Sequence, residues 1–172
     1  MKNSNIQLKI GALALLAGLY SIGAVADTQT GTATATVVEP LIIGVPAVMS
    51  FNTIAGGSAV GTIVMAAGGG LSATGDADII GSTAGTSLTF TVSGETGTAY
   101  TVSTNSPAVL SDGGANTMSL ALAAPTGDLG LTGGVDNIEV VGTLSLIANQ
   151  AAGAYSTASA GGTPITITAN YD

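Results

Sequence analysis

Apolar and polar residues alternate with period two through much of the chain beyond residue 30. Leu88, Phe90 and Val92 alternate with Thr89 and Thr91, and Met118, Leu120 and Leu122 with Ser119 and Ala121. Ile138, Val140, Leu144 and Leu146 share one phase across Gly142. Ile165, Ile167, Ala169 and Tyr171 alternate with Thr166, Thr168 and Asn170. Residues two apart lie on one face of a strand, so each segment has an apolar face and a Thr/Ser face. A sheet packed on one side and wet on the other gives this pattern, and threonine suits the wet side because a β-branched chain fits the pleat. Strands are predicted at 32–38, 41–45, 60–66, 87–93, 98–104, 116–123, 138–147 and 164–171.

Turn signals separate these runs: Ala55-Gly56-Gly57-Ser58, Gly68-Gly69-Gly70, Asp112-Gly113-Gly114, Thr132-Gly133-Gly134 and Gly161-Gly162. Glycine supplies the positive φ that tight turns need. No helical periodicity of ten residues or more occurs after residue 26. Short strands at regular spacing with glycine turns predict an all-β fold, an immunoglobulin-like antiparallel β-sandwich forming one domain over 27–172. Pro40 lacks a ladder donor and is expected at an edge or bend.

The first 26 residues read differently. Lys2 and Lys9 precede the apolar run Ile10–Ile22, and Ala24-Val25-Ala26 is a small-x-small cleavage pattern. These are the parts of a secretory signal. The alternative, a retained membrane span, needs about 20 apolar residues, more than this run supplies. Cleavage would leave Asp27 first, with no further apolar run to insert in a membrane. The expected location is extracellular or at the cell surface.

Charge then narrows the function. The two lysines are the chain's only basic residues; arginine, histidine, cysteine and tryptophan are all missing, against ten acids. Such a surface repels nucleic acid and anionic lipid. No disulfide and no side-chain ion pair is available after cleavage, so apolar burial and backbone hydrogen bonds must carry the fold. Nucleophilic triads need a His, Lys or Cys beside the nucleophile, and that class is closed. A carboxylate pair for glycoside hydrolysis is the remaining enzyme option. The acids mostly sit beside Gly, Ser or Asn, which favours solvated turns, and no catalytic residue is assigned.

Asp76-Ala77-Asp78 in a glycine-rich stretch is the candidate metal site. Calcium prefers several oxygen ligands, and Asp112, Asp128 or Asp136 would have to add one. A solvated loop is the competing reading. Gly68-Gly69-Gly70 has no following lysine and reads as a turn, not a phosphate cradle. Tyr100 is a candidate tyrosine corner, capping a sandwich turn through its hydroxyl.

Several stretches together carry a family resemblance. Thr32-Ala33-Thr34-Ala35-Thr36-Val37-Val38-Glu39-Pro40-Leu41 opens the domain. Phe90-Thr91-Val92-Ser93-Gly94-Glu95 and Ala99-Tyr100-Thr101-Val102 sit mid-chain. Ala151-Ala152-Gly153-Ala154-Tyr155-Ser156 leads into the closing Ile165–Tyr171 alternation. This order resembles the bacterial secreted domain-of-unknown-function family 4402. The resemblance implies a secreted sandwich and no established chemistry.

The ending is also similar to that of chaperone–usher pilins, which close on an alternating strand with a penultimate tyrosine, here Tyr171. That resemblance implies a sandwich completed by a neighbour's N-terminal strand, self-association into a homopolymer and a periplasmic chaperone. The candidate donor is Thr28 to Ile43, and the candidate interface residues are Ala33, Ala35, Val37, Leu41, Ile43 and Tyr171. There is no cysteine pair, which many pilins have, and Gly161-Gly162 lies nearer the end than the pilin pattern expects. The N-terminal strand has a second reading, as the first strand of its own sandwich. The expected function is a non-enzymatic structural subunit of a surface filament or matrix; the alternative is a monomeric adhesion module, with or without calcium.

Overall fold

A computed structural model describes residues 28–125 and 129–172. The signal segment 1–26 and Asp128 lie outside the described residues. The chain divides into two units at Thr36/Val37. In the first, residues 28–36 are exposed and form no strand.

The second unit is all-β. Its strands are β1 (Ile42–Ile43), β2 (Ile54–Met65), β3 (Leu71–Ile79), β4 (Leu88–Ser93), β5 (Ala99–Thr104), β6 (Ala108–Ser111), β7 (Thr117–Ala123), β8 (Leu129–Gly130), β9 (Val135–Leu146) and β10 (Ile167–Tyr171). The helical geometry among the described residues is confined to two 3-10 turns, Ala67–Gly69 and Thr132–Gly134. Every strand pairing is antiparallel. One sheet runs β1-β4-β9-β2-β3 and takes in β7 against β9 and β6 against β7; the other runs β10-β5-β8.

Strand β9 ties the larger sheet together. Its first half pairs with β4, from Val135 opposite Ser93 to Val140 opposite Leu88. Its second half lies between β2 and β7, with Leu144 opposite both Ile63 and Leu120. Gly142 is buried at the changeover, and a Cβ there would stand 2.8 Å from Leu120 Cδ1. A real side chain would force the buried Leu120 aside, which accounts for the glycine interrupting the apolar phase.

The core is the set of inward phases read from the alternation. Leu88, Phe90 and Val92 from β4, Met118, Leu120 and Leu122 from β7, and Ile138, Val140, Leu144 and Leu146 from β9 are all buried. Tyr100 and Val102 of β5 join the same cluster from the second sheet. That single layer of apolar side chains between antiparallel sheets makes the fold a β-sandwich.

Several predicted boundaries are corrected. Residues 32–38 form no strand and are exposed along their whole length. The predicted 41–45 strand shrinks to Ile42–Ile43, since Pro46 lacks the N–H that a continued ladder requires. Strands β3, β6 and β8 were not predicted. Pro40 sits as expected, just before the edge strand β1.

Candidate functional site

Asp76 and Asp78 lie on strand β3, not in a loop. The β2–β3 ladder jumps from Gly56 opposite Ala77 to Gly61 opposite Gly75, leaving residues 57–60 as a bulge. Asp76 closes that bulge: its carboxylate accepts from the Ala59 N–H at 2.9 Å and the Ser58 hydroxyl at 3.3 Å. Asp78 accepts from the Ile79 N–H at 2.8 Å. Asp112 holds its own turn through the Gly114 N–H and the Asn116 side chain. Glu139 on β9 accepts from the Gly68 N–H at 2.7 Å and fixes the β2–β3 turn. Asp136 accepts from the Tyr100 hydroxyl at 2.8 Å. Among the described residues no three His, Cys, Asp or Glu side chains gather as a metal site.

The acids thus bind neutral donors where bases are missing. The Ala59 N–H and then the Ser58 hydroxyl hold the Asp76 carboxyl below the usual carboxylate range. The Asn116 amide and then the Gly114 N–H do so for Asp112, and the Ser87 hydroxyl and then the Gly68 N–H for Glu139. A depressed folded pKa contributes stability above the unfolded value and loses it as pH falls through the folded one. The amide resonances of Ala59, Gly114 and Gly68 should therefore shift together with their carboxylates at midpoints below about pH 4, the ordinary carboxylate range. Midpoints at or above that range would remove the capping assignment.

Tyr100 is fully buried, and burial followed by the Asp136 carboxylate pushes its hydroxyl pKa up. Its hydroxyl joins β5 to the start of β9, so it ties side chain to side chain and caps no backbone, contrary to the tyrosine-corner expectation. That backbone role falls to Tyr171. The Tyr171 hydroxyl donates to the Glu39 carbonyl at 2.7 Å and accepts from the Glu95 N–H at 2.7 Å.

Strand β10 pairs with β5 and with no other strand among the described residues. Its inward residues Ile167, Ala169 and Tyr171, with Ile165 just before, are only half-buried, unlike the inward residues of β4 and β9. A groove of about 400 Å³ lies beyond its start, between Ala47–Met49 and Pro164–Ile165, and is floored by Phe51, Leu88 and Leu120. A neighbouring cavity of about 380 Å³ shares Met49, Phe51, Leu110 and Tyr155 with it. Tyr155 is held there by its hydroxyl, which donates to the Ala151 carbonyl and accepts from Gln150.

The predicted interface residues divide in two. Leu41, Ile43 and Tyr171 pack against the domain's own core, and Ile43 pairs with Val92. Ala33, Ala35 and Val37 are exposed and in no strand; Val37 is 94% exposed. The sequence pattern puts Ala33, Ala35, Val37, Leu41 and Ile43 in one phase broken at Glu39; what separates the first three from the last two is Pro40 and the start of β1, a signal already present in the sequence.

The described residues thus form an antiparallel β-sandwich in which Asp76, Asp112 and Glu139 cap a bulge and two turns and whose last strand has an open side. The chain belongs to the family described as Domain of unknown function (DUF4402), whose model matches residues 43–171. The match leaves the exposed segment before β1 outside it. No curated protein and no solved structure matches the chain. No helix among the described residues is long and apolar enough to cross a membrane.

Proposed function

We propose that the protein is a non-enzymatic structural subunit of a bacterial extracellular filament or matrix, exported by its N-terminal signal and joined to its neighbours by β-strand addition. The observation that carries this reading is the open side of β10 beside a half-covered apolar face, in a chain that also carries an exposed, alternating, strand-competent segment. A free strand edge is a template for another chain. The two long edges differ. Strand β3 bears Asp76 and Asp78, charges that guard an edge against pairing, whereas Ile167–Tyr171 bears none.

The donor is the exposed alternating segment upstream of Glu39, with Ala33, Ala35 and Val37 in one phase. Ile43 belongs to the domain's own first strand, and Leu41 just before it packs on the core. A periplasmic chaperone would cover the same β10 edge before assembly. Negative-stain microscopy of the purified processed protein, paired with an unheated denaturing gel, tests the reading. Filaments and a ladder that collapses on boiling are expected. A monomer under all conditions, with a β10 edge that binds no peptide of residues 28–38, would sink it.

A further inference from the structure

We infer that Tyr171 is a positioning residue: its hydroxyl clamps the chain at Glu39 and fixes where the N-terminal segment leaves the sandwich. Its use in assembly rests on the strand-addition reading; the clamp itself does not.

Three residues from distant parts of the chain close a ring of hydrogen bonds. The Glu39 N–H donates to Glu95 Oε2 at 3.2 Å. The Glu95 N–H donates to the Tyr171 hydroxyl at 2.7 Å. The Tyr171 hydroxyl donates to the Glu39 carbonyl at 2.7 Å. Both backbone groups of Glu39 are thereby engaged, although Glu39 is exposed and lies before the first strand.

The ring is built into the fold on its far side as well. Gly94 is buried, and a Cβ there would overlap the Tyr171 hydroxyl and press on Leu41 and Leu131. The space that Gly94 leaves is the space the hydroxyl uses. Packing alone does not explain this arrangement, since a phenylalanine ring at 171 would bury the same apolar surface with no donor.

The clamp marks a boundary. Val37, two residues upstream, is almost fully exposed. Downstream, Pro40 has a fixed φ and no N–H, and Leu41 packs on the core. Fixing Glu39 therefore sets the direction of the chain at the take-off point, with little freedom between it and β1.

Tyr171→Phe in the full chain tests this. Hydrogen exchange followed by mass spectrometry should show peptides covering 37–41 and 93–97 exchanging about five- to tenfold faster, as expected when one or two ordinary hydrogen bonds are lost. Exchange elsewhere should be unchanged. Gly94→Ala should reproduce the effect by expelling the hydroxyl while leaving Tyr171 in place. Unchanged exchange at both peptides in Tyr171→Phe would overturn the clamp.

A second readout separates positioning from simple stabilisation. Filaments of Tyr171→Phe should form and bend more, with a persistence length at most half that of the wild type. Equal persistence length alongside faster exchange would overturn the positioning role. Wild-type protein that never forms filaments would overturn strand addition, and the clamp would then stand or fall on exchange alone.

Discussion

Removing residues 28–38 is expected to abolish filaments completely while leaving the sandwich folded. Every described residue of that segment is exposed and outside the ladders, so its loss uncovers no core. Exposed positions of this kind change stability by about 0.5 kcal/mol or less, or about 2 °C in Tm for a domain of this size. Glu39 is retained, so its hydrogen bonds to Glu95 and Tyr171 survive. The truncated subunit keeps its open β10 edge and lacks a strand to donate. A synthetic peptide of residues 28–38 should bind that edge and raise Tm, because a ligand that binds only the folded state stabilises it by mass action. Filaments unchanged by the deletion would end the donor assignment, whatever the peptide does.

Phe90→Ala should be the most damaging single substitution in the core. Phe90 is 4% exposed, sits mid-strand in β4 and faces Ile138 across the ladder. Phe90 is one of only two phenylalanines in a chain without tryptophan. Truncating a buried phenylalanine costs about 3–5 kcal/mol, against a total of about 5–15 kcal/mol for a typical domain. Without cysteine, no disulfide shares the load. Thr89→Ala, on the exposed face of the same strand, should cost no more than about 0.5 kcal/mol. Urea denaturation of both variants decides the matter: similar midpoints would mean that β4 does not face the core as described.

The strands of the core were legible because their inward residues are large. In β4 and β7, and in β9 apart from Asp136 and Gly142, a leucine, isoleucine, valine, methionine or phenylalanine recurs at every second position, and burial follows it residue for residue. The sequence pattern does not mark strand β3, although its period is the same. Leu71, Ala73, Gly75, Ala77 and Ile79 alternate with Ser72, Thr74, Asp76 and Asp78. Its inward residues are small, and glycine with two aspartates reads as a loop when size is the signal. The same misreading made Asp76 and Asp78 a metal candidate. On a strand they share a face, and one of them is occupied with the bulge opposite.

The N-terminal segment failed in the opposite way. Its alternation is real, but alternation reports only that a segment can be a strand, not that its own domain offers a partner. The meeting of Glu39, Glu95 and Tyr171 was out of reach for another reason. Each residue stood in a stretch that drew attention, yet nothing local links positions 132 residues apart. Only the closed fold brings the end of β10 to the start of the domain.

That closure has a mechanical side. Glu39 and Tyr171 put the two ends of the sandwich at one pole. In a filament built by strand addition, tension would enter a subunit through the strand lying along β10 and leave through the chain at Glu39. The load path would run along β10 and across a few hydrogen bonds, bypassing the β2–β3 and β6–β7 hairpins. Pulling would then load the joint in shear and leave the core unstressed, a favourable geometry for a fold held by apolar packing without covalent cross-links.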